Sequence, residues 1–331
     1  MMLKVLELFS GIGAFSKALE NLDIEHEIVD AVEIDKYAMK SFNAIHGTKF
    51  EPQDITKWDK DIEVDIIMHG SPCQDFSRAG KQAGGDKGSG TRSSLMYETI
   101  RIVRKLQPKY VIWENVKNLL SDKHKHNFDA YIDTMSSLGY KSFYRTINAK
   151  ECGIPQSRER VITVSLRENS RLSSIYPLKF VENKKRLEDV LEEKVDDKYY
   201  LSDKQLANID VKDLLSRASK VKSTNSIVRL GGIYDNTGKH QAGSIYSPKG
   251  IAATLDTMAG GNREPIIVDD NGIRKLTPLE CWRLMGFDDE DFKAAAKVNS
   301  NSQLYKQAGN SIVVPVLETV IRGIYGKDFR E

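Results

Sequence analysis

A chain of 331 residues with 40% hydrophobic content is long enough for one large core and a second, smaller unit. Its net charge of +2 is no nucleic-acid signature by itself, so a polyanionic partner has to be sought in local charge. The charged start Met1-Met2-Leu3-Lys4 resembles no secretion signal, no apolar run reaches membrane-spanning length, and three widely spaced cysteines (73, 152 and 281) fit neither a disulfide framework nor a zinc site. The expectation is a two-domain cytosolic protein in a reducing compartment, with no metal.

Residues 3–9 read as a strand, and Ser10-Gly11-Ile12-Gly13-Ala14 is a tight turn into an amphipathic helix from Phe15 to Leu22. Strand, glycine turn and helix make a nucleotide-type cradle, although a lone GxG often only closes a strand against a helix. The next strand, residues 28–34, ends in Glu33-Ile34-Asp35, where an acid in such folds holds a ribose hydroxyl pair. We read Glu33 in that role and Asp35 as a helix-start carboxylate. A helix over 36–46 follows, then Asp54, placed to accept from an adenine amino group.

The β-branched run Val64-Asp65-Ile66-Ile67-Met68-His69 predicts a buried parallel strand that stops at Gly70-Ser71-Pro72-Cys73-Gln74. Cys73 thus falls just past a strand's carboxyl end, where open α/β sheets do their chemistry. An isolated cysteine is usually a small buried hydrophobe. Here residues 76–92 follow it with five glycines, four cations (Arg78, Lys81, Lys87, Arg92) and one acid, a composition suited to a cationic lid over a polyanion. The context favours a nucleophile, which needs positive potential to form its thiolate.

A helix over 93–106 ends at Pro108, and residues 109–118 predict a strand carrying Glu114 near its carboxyl end, either as a buried carboxyl of raised pKa or as a strand-end cap. A helix over 125–138 and a strand over 140–148 continue the alternation. Gln156-Ser157-Arg158-Glu159-Arg160 leads into a strand over 161–166, with Arg158 and Arg160 on one face of an extended chain. Paired arginines are usually solvated; beside a Cys and a Glu they could hold an anion or carbonyl bidentately.

Beyond about residue 171 the rhythm breaks. A charged stretch over 184–215 reads as helical, and residues 215–263 then carry seven cations against two acids, so this is the better segment for phosphates. Near the end, Thr277-Pro278 opens a helix with an N-cap and an N1 proline, and Gln307-Ala308-Gly309-Asn310-Ser311 precedes an apolar helix over 312–324.

Taken in order, Leu8-Phe9-Ser10-Gly11-Ile12-Gly13, Glu33-Ile34-Asp35, Asp54-Ile55, Gly70-Ser71-Pro72-Cys73-Gln74, Glu114-Asn115-Val116, Gln156-Ser157-Arg158-Glu159-Arg160, Thr254-Leu255 and Gln307-Ala308-Gly309-Asn310-Ser311 resemble the cytosine-C5 DNA methyltransferases, of single-chain bacterial or phage type, over essentially the whole chain. The resemblance implies a doubly wound, Rossmann-like α/β domain at 1–170 plus 277–331, dependent on S-adenosylmethionine, and a smaller irregular target-recognition domain at 171–276. It implies that Phe9 stacks on the adenine and that Gly11, Ile12 and Gly13 approach the methionine part. Glu33 and Ile34 would serve the ribose side and Asp54 and Ile55 the adenine, with Pro72, Leu95, Asn310 and Ser311 completing the pocket.

The same resemblance implies the chemistry. Cys73 adds to C6 of a flipped-out cytosine, Glu114 contacts N3 and the amino group, Arg158 and Arg160 orient base and thiolate, and Asn115 braces the loop. Ser77, Arg78, Lys81 and Arg92 of the lid, with Gln241, Ser244, Tyr246 and Thr254, would meet duplex DNA; Gln241 would fill the vacated space. Glu7 stands where Asp is commoner, Ala14 where glycine is frequent and Ala79 where some relatives carry serine. A modification enzyme of a restriction system, or one protecting a phage, is the expected setting, acting as a monomer. Competing readings are a tRNA cytosine methyltransferase of the same fold, a catalytically dead binder, and a dinucleotide-dependent oxidoreductase. The long recognition segment weighs against the first, the intact Cys73, Glu114 and Arg158 against the second, and the incomplete glycine spacing against the third.

Overall fold

The computed structural model describes residues 2–72, 95–168, 177–234, 243–258 and 263–326. The lid and Cys73 within 73–94, and Gln241 within 235–242, lie outside the described residues. By contacts the chain divides into two compact units: Met1–Ile147 with Glu159–Lys179 and Val316–Glu331, and Asn148–Arg158 with Phe180–Pro315.

The first unit alternates strand and helix: β1 (Leu3–Leu8), α1 (Ala14–Asn21), β2 (His26–Val32), α2 (Lys36–His46), β3 (Ile66–His69), α3 (Met96–Leu106), β4 (Tyr110–Val116), α4 (Lys125–Ser137), β5 (Tyr140–Asn148) and β6 (Glu159–Arg167). The six strands form one sheet in the order β2-β1-β3-β4-β6-β5. β1 pairs in parallel with β2 and β3, and β3 with β4, while β6 runs antiparallel to β4. The chain leaves β1 toward one side for β2 and toward the other for β3, so the order reverses between β1 and β3, the switch point at which such sheets bind ligands. All four residues of β3 are buried, as a central strand's continuous apolar run requires.

Local chemistry sets the helix ends. Asp35 caps α2 by accepting from the amides of Tyr37 and Ala38, as expected of a helix-start carboxylate, and Gly47 closes it at φ 64°. Leu6, Leu8, Ile67, Ile102, Val111 and Trp113 belong to the large core cluster between sheet and helices.

The second unit carries α5 (Asp203–Leu206), α6 (Val211–Lys220), β7 (Arg229–Gly232), β8 (Ser244–Tyr246), β9 (Ile266–Asp269), β10 (Gly272–Lys275), α7 (Pro278–Arg283), α8 (Asp289–Ala296) and α9 (Asn301–Asn310); α10 (Val314–Tyr325) follows. The continuous helix expected over 184–215 is absent. Short 3-10 turns at Leu187–Val190 and Asp197–Tyr199 precede α5 and α6, because the stretch has few apolar anchors and Leu214 is the one buried residue of α6. The segment expected to be irregular holds a four-stranded sheet in the order β10-β9-β8-β7, with Ile245, Ile266, Val268 and Ile273 in its core.

Residues 277–315, expected with the catalytic part, group by contact with 180–276. Buried polar bonds tie them there. Arg274 Nη1 and Nη2 donate to Glu280 Oε2 and Oε1 at 2.9 and 2.8 Å, and the Tyr305 hydroxyl donates to the carbonyl of Leu276 at 2.5 Å. Thr277 caps α7 and Pro278 takes the first helical position, as expected, and Glu280 completes a capping box with Thr277.

Candidate active site

Two strand ends frame the site in the first unit. After β1, Phe9 adopts φ 54°, and Gly11 and Gly13 adopt 55° and 82°. Gly13 has no alternative: a Cβ there would lie 2.1 Å from Nε2 of His46, whose ring is held by a 2.7 Å contact between Nδ1 and Glu20 Oε1. A Cβ on Gly11, by contrast, would meet nothing within 4 Å, so the turn is open on that side.

Glu33 closes the turn. Its Oε2 accepts from the Gly11 amide at 3.0 Å and its Oε1 from the Asp35 amide at 2.8 Å. Burial pushes its carboxyl above the usual range, with the two amides pulling the other way. Beside it Ile34 is 71% exposed, a bare apolar side chain at the end of β2. Ile12 is buried, so it can offer a ligand only backbone.

The neighbouring Asp54 segment is laced to β2. The Gln53 amide donates to the Glu33 carbonyl at 2.8 Å, and Gln53 Nε2 donates to Asp30 Oδ1 at 2.8 Å and to the Ala31 carbonyl at 2.9 Å. Arg101 of α3 donates from Nη2 to the carbonyls of Ile55 and Trp58 at 3.0 and 2.8 Å. Asp54 itself is half-buried, and its Oδ1 accepts from the Thr56 hydroxyl and amide, which hold the carboxyl below its usual range. Leu95, half-buried, stands immediately before α3, and Phe9 packs on the same core. Glu7, 2% exposed, accepts from the Ser16 amide at 3.1 Å and from its hydroxyl, and burial raises its carboxyl.

The second strand end belongs to β3. His69 is wholly buried, its ring stacked on Trp113 with centroids 5.7 Å apart at 5° and its Nε2 3.1 Å from the Tyr131 hydroxyl. Trp113 Nε1 donates to Ser71 Oγ at 2.9 Å, and Asn115 Nδ2 donates to the Ser71 carbonyl at 3.4 Å. The residue two places before Cys73 is therefore fixed by two side chains of β4. Pro72, the last described residue of this loop, is half-buried.

Between Trp113 and Asn115 stands Glu114. Arg160 Nε lies 2.9 Å from its Oε1, with both side chains largely buried, and Arg160 Nη1 also donates to the Glu159 carbonyl. Arg158 precedes the strand, since β6 begins at Glu159.

In the second unit Arg158 is 3% exposed. Its Nη1 donates to the Leu255 carbonyl at 2.9 Å and its Nη2 to the carbonyls of Gly309 and Ser311, each at 3.0 Å. The Thr254 hydroxyl donates to the Ser157 carbonyl at 2.6 Å. Ser244 and Tyr246 are buried, with Arg229 Nε donating to Ser244 Oγ at 3.0 Å. Asn310 is exposed at the end of α9, and Ser311 is buried.

Sequence reading missed several supports: Asp30, Gln53 and Arg101 around the Asp54 segment, and His69, Ser71 and Trp113 around the cysteine loop. Ser71 lies inside a motif and the others between motifs, and it is their hydrogen bonds that reveal the supporting role. Among the described residues no group of three or more potential ligands could hold a metal ion, and no helix is long and apolar enough to cross a membrane.

The chain matches the family model described as C-5 cytosine-specific DNA methylase over residues 3–326. It is 33% identical to the orphan methyltransferase M.SPBetaI of Bacillus phage SPbeta, over 97% of each chain. It is 36% identical to the type II methyltransferase M.HhaI of Haemophilus parahaemolyticus, over 97% of this chain and 94% of that one. Its fold is that of the S. pombe Dnmt2 methyltransferase crystal structure, with a TM-score of 0.71 at 22% identity, over 96% of this chain and 97% of that one. The chain belongs to the C-5 cytosine-specific DNA methylases, a family of enzymes whose methyl transfer depends in general on S-adenosylmethionine.

Proposed function

We propose that this chain methylates C5 of a flipped-out cytosine in duplex DNA through a covalent adduct between Cys73 and C6, with S-adenosylmethionine bound at the carboxyl ends of β1 and β2. The observation that carries this reading is the Glu114–Arg160 pair, standing between the two β4 side chains that fix Ser71 ahead of the cysteine.

The residues after β1 and β2 fit the cofactor. The Gly11 turn is open where a side chain would otherwise intrude, Ile34 offers an uncovered apolar wall for a purine, and Glu33 retains acceptor capacity, since each carboxylate oxygen has two lone pairs and only one is used by an amide. Phe9, Gly11, Ile12, Gly13, Glu33, Ile34, Asp54, Ile55, Pro72 and Leu95 would hold it. Asn310 and Ser311 are assigned to it by sequence pattern. When bound it supplies the electrophilic methyl group.

The chain's own groups do the rest. Cytosine C5 is too electron-poor to react directly, so the Cys73 thiolate adds to C6 and pushes electron density toward C5. Glu114 donates or shares a proton at N3, and Arg160 fixes the carboxyl that does so. Loss of the C5 proton and departure of the thiolate restore the aromatic ring. Flipping the base costs a few kcal/mol of lost stacking and pairing, which contacts from residues 76–92 would offset. The cationic segment 215–263, inside the recognition domain at 171–276, is assigned to the duplex, and a place in a restriction system or in phage protection is the setting that goes with it.

Transfer of tritiated methyl from S-adenosylmethionine to mixed duplex DNA and to tRNA, with Cys73→Ala in parallel and bisulfite sequencing of the product, tests the reading. Label in DNA that disappears with the substitution is the expected result; label in tRNA alone would move the substrate to RNA, and label in neither would leave a binder without chemistry.

A further inference from the structure

The segments 154–158, 252–257 and 307–311 of the second unit meet at one junction. Residues 156 and 252 form a parallel bridge, and the amides of Ala252 and Ser157 donate to the carbonyls of Pro155 and Ala252 at 2.7 and 2.8 Å. Gln156, wholly buried, accepts from the Leu255 amide at 3.1 Å and donates to the Leu284 carbonyl at 2.9 Å. Gly309 leaves no slack, since a Cβ there would lie 1.9 Å from the Asp256 carbonyl oxygen.

Arg158 spans this junction. A guanidinium presents its donors in a rigid planar fork, so one side chain can serve carbonyls arriving from different directions, whereas an ammonium is a single point. Here the fork takes Leu255 from one segment and Gly309 and Ser311 from the other. Both segments must keep their places for these buried carbonyls to remain satisfied, since an unpaired one would bear its full desolvation cost.

We infer that Arg158 is a positioning residue, not a group that touches the reacting base: it clamps the Thr254-Leu255 segment to the Gly309–Ser311 segment, so that a change at either is felt at the other. With Thr254 assigned to DNA and Asn310 and Ser311 to S-adenosylmethionine, Arg158 couples the two binding events. This coupling rests on that cofactor assignment; the clamp itself rests on the hydrogen bonds.

The test uses the full chain, with Arg158→Lys and Thr254→Val. Arg158→Lys is expected to raise the Kd for S-adenosylmethionine, measured by calorimetry without DNA, at least tenfold and to weaken duplex binding with it. A rate reduced a hundredfold with both affinities unchanged would make Arg158 a base-contacting residue and overturn the inference. Should Arg158→Lys fail to fold, Thr254→Val decides. That variant removes the hydroxyl bond to Ser157, so a severalfold loss of cofactor affinity supports the clamp and a loss confined to DNA affinity defeats it. If the unaltered chain binds no S-adenosylmethionine, the cofactor assignment fails and hydrogen exchange judges the clamp: joint loss of amide protection at 254–256 and 309–311 in either variant upholds it, and loss at one segment alone refutes it.

Discussion

Glu114 and Arg160 meet on the diagonal of the β4–β6 ladder. Glu114 is paired with Ile162 and Arg160 with Val116, and the Arg160 Nε reaches Oε1 of Glu114 at 2.9 Å. Cross-strand diagonal neighbours are within reach of long side chains, and antiparallel pairing of β6 to β4 is what brings a residue at the start of one strand to the end of the other. A carboxyl held in this way can offer a proton at a fixed point. Glu114→Gln keeps the shape and removes the acid; about 10²–10⁴-fold of rate is the usual contribution of such a group. Single-turnover methyl transfer is therefore expected to fall within that range while cofactor affinity, measured by calorimetry, stays within a factor of about three. A rate reduced less than tenfold would remove Glu114 from the chemistry.

Glu33 accepts a backbone amide on each of its oxygens, so glutamine is no conservative replacement for it. In Glu33→Gln one amide would face an NH₂ group, leaving a donor opposite a donor, with a typical cost of about 1–3 kcal/mol for the unpaired group. The Gly11 turn and the start of α2 would both loosen. Cofactor affinity should drop by at least tenfold with the maximal rate less affected, and calorimetric titration checks it; equal binding by the two proteins would separate Glu33 from the pocket.

The first six strands and their helices are legible in the sequence because each hydrophobic run is bounded by a glycine, a proline or a capping acid: Gly11 and Gly13 after β1, Asp35 before α2, Gly70 after β3. Periodicity carries this information locally. The four-stranded sheet of the second unit is not legible, since β7 and β8 are four and three residues long and their register depends on partners far away in the chain. Arg158 and Arg160 show the same limit at a single site. Spacing places both on one face of a strand, but the strand starts between them, and it is Arg160 that meets Glu114. The Thr254 hydroxyl, likewise, is engaged by the Ser157 carbonyl, a bond that no pattern along the chain announces.

Arg274 and Glu280 form a two-pronged pair with 1% and 0% of their side chains exposed, and Asp269 Oδ2 lies 2.5 Å from Arg274 Nε. Glu280 also accepts from the amides of Thr277 and Glu192 at 2.7 and 2.9 Å, so it ties β10, α7 and the preceding chain together. Removing the Glu280 charge leaves the buried Arg274 guanidinium to Asp269 and its two outer nitrogens without a carboxylate, at a cost approaching about 3–5 kcal/mol, that of a broken buried pair. Glu280→Gln is expected to lower the urea midpoint accordingly, and Arg274→Met combined with Glu280→Leu to recover part of the loss. A single variant as stable as the unaltered chain would show the pair to be dispensable.

Burial against Trp113 and Tyr131 pushes the His69 imidazole down to about 3, so it stays neutral in the fold while the unfolded chain takes up its proton at the ordinary value near 6.5. Its folded value is depressed, so above about 6.5 it costs nothing, and stability is lost as pH falls from there toward 3. By pH 5 the loss amounts to about 2 kcal/mol, from 1.4 kcal/mol per pH unit below 6.5. Glu7 and Glu33, whose carboxyls burial raises, act in the opposite sense, so the effect of His69 is isolated by difference. His69→Phe keeps a ring on Trp113 and removes the titration. It will lower stability at pH 7.5 by leaving the Tyr131 hydroxyl without its partner, but urea unfolding at pH 5 and pH 7.5 should show a smaller decline toward acid than in the unaltered chain. The same decline in both proteins would mean that His69 does take up a proton inside the fold, and that the stack behind the Cys73 loop is more open to water than its burial states.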